Sequence, residues 1–189
     1  MDIEENKVLL VDDEHRVIEA LKRSFIDDHV YILTADSGTK GLEILSANTV
    51  KVVISDEMMP GMPGAEFLAQ VRSRFPHVIR IMLTGHASLN AAIKAINKGE
   101  IYRFFTKPWD DVELRFAVKS ALEKYDLEAE NRRLLDIVRK QALNLKLLEK
   151  EFPGITDLDY DEKGRIIIQD VPDGEIARIV AELEREYLA

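Results

Sequence analysis

Between residues 7 and about 120, hydrophobic residues occur in short runs separated by longer amphipathic segments. Because β-branched and aromatic residues dominate the short runs, we predict five strands there: VLLV (8–11), VYILTA (30–35), VKVVIS (50–55), VIRIMLT (78–84) and IYRFFT (101–106). Apolar residues at helical spacing predict four helices between them: HRVIEALKRSF (15–25), TKGLEILSA (39–47), GAEFLAQVRSRF (64–75) and LNAAIKAINKG (89–99). Strands that alternate with helices predict βαβ units and a parallel sheet.

A fifth helix is predicted to begin near Asp110, since Asp110 and Glu113 form a capping-box pattern. No Gly or Pro interrupts the helical pattern before Pro153. Its second half has apolar residues at 4-3 spacing, which is typical of a coiled coil. Asn131 on this seam favours one register and a defined dimer, and a helix folded back on its own domain is the alternative. The seam positions are Leu127, Asn131, Leu134, Val138, Gln141, Leu145, Leu148 and Phe152.

The sequence therefore predicts three parts: an α/β domain (1–122), a coiled-coil helix (123–152) and a small C-terminal unit (153–189). In the last part, two short apolar runs flank the turn DEKG (161–164), and an amphipathic segment (175–188) follows. This pattern predicts a ββα unit. So short a segment buries little core alone, and we expect it to pack on another part of the protein.

Composition narrows the class of protein. Hydrophobic residues make up 46% of the chain and charged residues 32%, as in a globular protein. There is no apolar run of the roughly 18 residues that a membrane span needs, and the N-terminus lacks the pattern of a signal peptide. The absence of cysteine excludes disulfides and thiolate metal sites and is consistent with a cytoplasmic location.

Charge argues against nucleic-acid binding. The formal net charge is −9, and residues 155–189 hold ten acidic residues against four basic ones. Proteins that bind nucleic acid draw most of their affinity from Lys and Arg contacts to phosphate. The acidic tail therefore disfavours a DNA-binding output from this chain.

Four of the five predicted strands end in polar or charged residues: Asp12 and Asp13, Asp56, Thr84 and Lys107. The carboxyl edge of an open α/β sheet is where the binding crevice forms. Carboxylates that converge there repel one another, and Lys107 together with a hard divalent ion such as Mg²⁺ would relieve the repulsion. A carboxylate beside Mg²⁺, with a hydroxyl and an ammonium nearby, is equipped to form an aspartyl phosphate. Each residue alone has a plainer interpretation as a cap, strand or surface residue, so the prediction depends on their joint placement.

The same residues lie in the stretches VLLVDDE, VVISDEMMPGMPG, IMLTGHA and YRFFTKPW, and residues 7–120 resemble the receiver domain of two-component response regulators. The resemblance implies a flavodoxin-like (βα)5 fold, a doubly wound parallel sheet with strand order 2-1-3-4-5. It also implies that Asp56 is the phosphoacceptor, with a sensor histidine kinase or a phosphotransfer protein as the donor.

The resemblance assigns a metal site as well. Asp12 and Asp13 match the acid pair, and Mg²⁺ would be ligated by Asp13, Asp56 and the backbone carbonyl of Met58. Met58 and His86 each lie two residues beyond a motif residue, where side chains tune the lifetime of the acyl phosphate. Since Met58 has no polar group to orient water, we predict slow self-dephosphorylation. An ordinary loop residue is the favoured interpretation of His86.

The switch residues also follow from the resemblance. Thr84 matches the hydroxyl that moves onto the phosphoryl group, and Lys107 matches the lysine that pairs with it through a loop containing a cis Lys107–Pro108 bond. Phe104 matches the aromatic switch position, with a plain core residue as the alternative.

Three outputs remain open at the sequence level. Phosphorylation could change how the long helices pair in a homodimer through residues 123–152, passing the signal to another protein. A DNA-binding regulator is the second possibility. The third is a tail that acts as a phosphatase on a partner, for which Asp157, Asp159 and Asp161 make weak metal binding conceivable, although a solvated strand face is favoured. No enzymatic effector motif is recognised in the tail, so we predict a signalling protein rather than an enzyme.

Overall fold

A computed structural model of the chain describes residues 6–26, 29–85 and 101–152. The predicted helix at 89–99, His86 and the predicted ββα unit at 153–189 lie outside the described residues. The elements are β1 (Lys7–Val11), α1 (His15–Ser24), β2 (Tyr31–Ala35), α2 (Gly38–Ala47), β3 (Val52–Asp56), α3 (Gly64–Arg74), β4 (Ile79–Thr84), β5 (Arg103–Thr106) and a long helix (Asp111–Glu151).

The five strands form one sheet in the order β2-β1-β3-β4-β5, and every pairing is parallel. The predicted doubly wound sheet is therefore confirmed. Strand β3 includes Asp56 instead of ending before it. The ladder continues past this residue because the Glu57 N–H donates to the carbonyl of Leu83 at 2.9 Å.

Successive residues of the central strands pack on opposite faces of the sheet, as the period of two in a strand requires. Leu10 and Ile54 belong to a core with α1 and the long helix, whereas Leu9 and Val53 belong to a core with α2 and α3. Because β1 and β3 are covered on both faces, each contains a continuous apolar run, residues 8–11 and 52–54. This packing leaves the carboxyl edge of the sheet as the place for charged side chains.

The long helix begins as its capping pattern predicts, since Asp110 Oδ1 accepts a hydrogen bond of 2.8 Å from the Glu113 N–H. Its buried residues recur at helical spacing from Leu114 to Leu122, where they pack against the sheet. The six apolar residues of the predicted seam are exposed, and we call them the apolar stripe: Leu127, Leu134, Val138, Leu145, Leu148 and Phe152.

A buried lysine fixes the helix just beyond its last buried turn. The Lys51 ammonium donates to Asp126 Oδ1 at 2.7 Å and to Asn6 Oδ1 at 3.0 Å, and it lies 5.9 Å from the centroid of the Tyr125 ring. These contacts join the start of β3 to the helix.

The chain divides into two compact units, Met1–Arg133 and Leu134–Ala189. The finer boundaries at 122 and 152 stay predictions. Within residues 6–26, 29–85 and 101–152, no helix has the length and apolar character needed to cross a membrane.

Candidate functional site

Two buried carboxylates meet at the carboxyl edge of the central strands. Asp12 directly follows β1, and Asp56 is the last residue of β3. Since β1 and β3 are neighbours in the sheet, the two residues lie side by side, with exposed fractions of only 1% and 6%. Two negative charges in a buried position need a cation.

Lys107 supplies positive charge to both carboxylates. Its ammonium lies 2.8 Å from Asp12 Oδ2 and 2.5 Å from Asp56 Oδ1. Its backbone N–H donates to the carbonyl of Thr84 at 2.8 Å, which fixes the lysine beside the end of β4. The Lys107–Pro108 bond is cis, which confirms the prediction.

The remaining carboxylate oxygens accept backbone hydrogen bonds. Asp12 Oδ1 accepts from the Glu14 N–H at 2.8 Å, and Asp56 Oδ2 accepts from the Met58 N–H at 2.8 Å. Each of the four oxygens therefore has a donor, and the two carboxylates are held in fixed orientations.

Burial and hydrogen bonding together shift the pKa values of Asp12 and Lys107. Burial raises the pKa of Asp12 above its ordinary value, and the hydrogen bonds from Lys107 and Glu14 only partly oppose it. Burial by itself would lower the pKa of Lys107, but its hydrogen bonds to Asp12 and Asp56 outweigh that effect and raise the pKa. The carboxylate pair thus favours a nearby cation.

Asp13 directly follows Asp12 at the carboxyl edge of the sheet. Its side chain is exposed and lines a surface cavity together with Asp12, Asp36 and Lys40. In the described part of the chain, no three His, Asp or Glu side chains are already gathered at one metal position. The donors still fit Mg²⁺ by their chemistry, because they are all oxygens and because two buried carboxylates share the ammonium of Lys107.

Thr84 is fully buried at the end of β4. Its hydroxyl donates to Glu57 Oε2 and also lies 3.1 Å from the carbonyl of Gly85. Thus the structure joins Asp12, Asp56 and Lys107 through side chains, while it places the Thr84 hydroxyl on Glu57.

Two further predicted site residues lie at the margin of the group. The Met58 side chain is 74% exposed, so only the main chain of this residue faces the carboxylate of Asp56. Phe104 is half-buried and packs against the core beneath α2 and α3, whereas Phe105 is buried in the core on the opposite face.

The sequence-based prediction missed Glu57 and Gly64. Glu57 is a buried acid next to Asp56, and the reasoning that singled out Asp56 at an apolar strand end applies to it equally. Gly64 opens α3 so close to Asp56 that a Cβ atom there would lie 1.9 Å from the Asp56 carbonyl oxygen. A glycine after Pro63 suggests a turn, but only the fold reveals this close approach.

Comparisons with known proteins identify relatives of this chain. The hydrogenase transcriptional regulatory protein HoxA of Cupriavidus necator is 36% identical over 127 residues, covering 67% of this chain and 26% of that protein. The transcriptional regulatory protein GlrR of Escherichia coli K12 is 34% identical over 143 residues, covering 76% and 32%. The chain therefore spans about a third or less of the length of these relatives.

A solved structure is similar to a large part of this chain. The signal receiver domain of an HD domain-containing protein from Pseudomonas fluorescens Pf-5 is 36% identical, covers 69% of this chain and 96% of that chain, and superposes with a TM-score of 0.64. The response regulator receiver domain family matches residues 8–119, which is more than half of the chain. With its parallel sheet and its paired acids at the carboxyl edge, the chain belongs to the response regulator receiver domain family.

Proposed function

We propose that this chain is a phosphorylation-controlled receiver in which Asp56 accepts a phosphoryl group from a sensor histidine kinase or a phosphotransfer protein. The observation that carries the proposal is the Lys107 ammonium, which touches Asp56 and Asp12 at the carboxyl edge of the sheet. In the transfer, a carboxylate oxygen of Asp56 forms a bond to phosphorus while the bond between phosphorus and the donor nitrogen breaks. The product is an acyl phosphate on Asp56.

Mg²⁺ would be held by Asp13, Asp56 and the backbone carbonyl of Met58, with Asp12 as the second member of the acid pair. Bound there, the ion would neutralise charge on the phosphoryl oxygens. Lys107 keeps a positive charge beside Asp56, because its ion pairs raise its pKa. The lysine can therefore stabilise the added negative charge of the phosphoryl group.

Phosphorylation adds roughly −1.5 to −2 charge and three acceptor oxygens at Asp56. Thr84 is the proposed hydroxyl donor to one of them, although its hydroxyl donates to Glu57 in this structure. Its release toward Asp56 would shift the end of β4 and the loop after β5, with Phe104 as the proposed aromatic partner in that shift. The change would then reach the long helix.

The output we propose is a change in the pairing of long helices between two copies of the chain. The exposed apolar stripe supports this proposal, because six large apolar side chains on one helix face are seldom left in water. A homodimer through residues 123–152 would bury them and would present a surface to a downstream protein.

Beryllofluoride, which imitates a phosphoryl group, tests the acceptor site. We expect it to bind wild type in the presence of Mg²⁺, to fail with Asp56→Ala, and to bind the matched surface variant Asp136→Ala normally. Light scattering on the same samples tests the output. Absence of binding to wild type would refute the acceptor proposal, and binding without any change in mass or shape would refute only dimerisation as the output.

DNA binding is the second candidate function, because HoxA and GlrR are named transcriptional regulatory proteins. The acidic tail opposes it in this chain. A fluorescence-anisotropy titration with duplex DNA at low and moderate salt distinguishes the two candidate functions. Binding that weakens steeply with salt would favour DNA binding as the function of this chain, and no binding at low salt would exclude it.

A further inference from the structure

Glu57 is a buried acid with a fixed main chain. The residue is only 8% exposed. Its N–H donates to the carbonyl of Leu83 at 2.9 Å, and its own carbonyl accepts from the Gly64 N–H at 2.8 Å. The backbone is therefore held on both sides, and only the side chain is free to change partners.

The side chain of Glu57 holds the hydroxyl that the phosphorylated state needs. Thr84 Oγ1 donates to Glu57 Oε2, and a hydroxyl has a single proton to donate. A phosphoryl oxygen on Asp56 would compete for that same proton. The Thr84 hydroxyl cannot donate to Glu57 and to a phosphoryl oxygen at the same time, so Glu57 and the phosphoryl group compete for it.

We propose that Glu57 is a positioning residue that holds the Thr84 hydroxyl in the resting state and thereby sets the threshold for switching. The inference rests on the proposed function, since it assumes that Thr84 is recruited by a phosphoryl group on Asp56. Activation then requires the loss of a charge-assisted hydrogen bond, and it leaves a buried carboxylate without that donor. Both effects favour the resting state.

The negative charge of Glu57 determines how strongly its side chain holds the Thr84 hydroxyl. A hydrogen bond to a charged acceptor is stronger than one to a neutral acceptor of the same shape. Glu57→Gln keeps the size of the side chain and an oxygen acceptor, so it weakens the hold on Thr84 without opening a cavity. We expect this variant to bind beryllofluoride about tenfold more tightly than wild type.

The binding titration can follow the fluorescence of Trp109, the single tryptophan, which lies two residues after Lys107. Glu66→Gln is the matched control, because it removes the same charge from an exposed position on α3. We expect Glu66→Gln to bind beryllofluoride as wild type does. Equal or weaker binding by Glu57→Gln would overturn the proposal.

A double-mutant cycle separates the hold on Thr84 from a general effect of charge. In a Thr84→Ala background the hydroxyl that Glu57 holds is absent, so Glu57→Gln should change beryllofluoride affinity by less than about twofold. If the tenfold gain persisted without the hydroxyl, simple charge repulsion would account for it and the positioning role would be wrong. Failure of wild type to bind beryllofluoride would instead overturn the proposed function itself.

Discussion

Gly64→Ala should disrupt the site more than any other glycine substitution at this edge of the sheet. A Cβ atom at residue 64 would lie 1.9 Å from the Asp56 carbonyl oxygen, whereas ordinary Cβ contacts begin near 3.4 Å. The obstacle is backbone, at the end of a central strand, and no side-chain rotation relieves it. The start of α3 would have to move away from β3.

Two separate losses contribute to the destabilisation expected for Gly64→Ala. Forcing extra volume into a packed site costs about 1–3 kcal/mol. Moving α3 also breaks the hydrogen bond of 2.8 Å between the Gly64 N–H and the Glu57 carbonyl, which contributes about 1 kcal/mol. We therefore expect a loss of roughly 2–4 kcal/mol in the free energy of unfolding, a large share of the 5–15 kcal/mol typical of a domain.

Two neighbouring glycines provide matched controls. Gly61 has φ of +79°, so Gly61→Ala carries the strain of the left-handed region, about 1–2 kcal/mol, partly offset by lower entropy of the unfolded chain. Within the described atoms nothing lies within 4 Å of a Cβ built on Gly85, so Gly85→Ala should be neutral or stabilise by up to about 1 kcal/mol. The expected order of destabilisation is Gly64, then Gly61, then Gly85.

Urea unfolding of the three variants measures this order of destabilisation. With a slope of about 2 kcal/mol per M, Gly64→Ala should lower the midpoint by more than about 1 M. The same variant should bind beryllofluoride more weakly, because the clash acts on the backbone of Asp56 itself. A Gly64→Ala midpoint equal to that of Gly85→Ala would show that α3 moves freely, and the close approach would not constrain the site.

Further predictions concern Asp12, the buried lysine and the apolar stripe. Without Mg²⁺, Asp12→Asn should be more stable to urea than wild type at neutral pH, because burial raises the pKa of Asp12 and so disfavours its charged form in the folded state. This gain should shrink as the pH falls toward 3.8, because the Asp12 carboxylate of wild type then becomes protonated in both the folded and the unfolded state. A gain that grew on acidification would contradict this reasoning. Lys51→Met replaces a buried cation by an apolar side chain of similar length and should change the free energy of unfolding little. Asp126→Asn should cost about 1–3 kcal/mol, since it leaves the buried ammonium with weaker partners, and the reverse order in urea would refute that reasoning. If two copies pair through the apolar stripe, Leu145→Gln should lower the mass measured by light scattering. Lys140→Gln, on another face of the helix, should leave that mass unchanged. Equal masses for the two variants would argue against pairing through the stripe.

The architecture was accessible from sequence because it depends on local patterns. Uninterrupted apolar strands and amphipathic helices alternate, and that alternation alone predicts a parallel sheet. The start of the long helix could be located from Asp110 and Glu113, and the structure confirms the cap. Strand order came from the resemblance, because no local pattern states which strands are neighbours.

Local chemistry also located Asp12, Asp56 and Lys107 at strand ends, since a charged residue after an apolar run has few other places to lie. Which atoms meet there was decided by tertiary structure. The lysine reaches both acids because β5, β4, β3 and β1 are consecutive neighbours in the sheet, and Thr84 binds Glu57 because Glu57 extends the β3–β4 ladder by one residue. Hydrogen bonds and steric contacts act over a few ångströms, so residues distant in the chain acquire these partners only after the sheet has assembled.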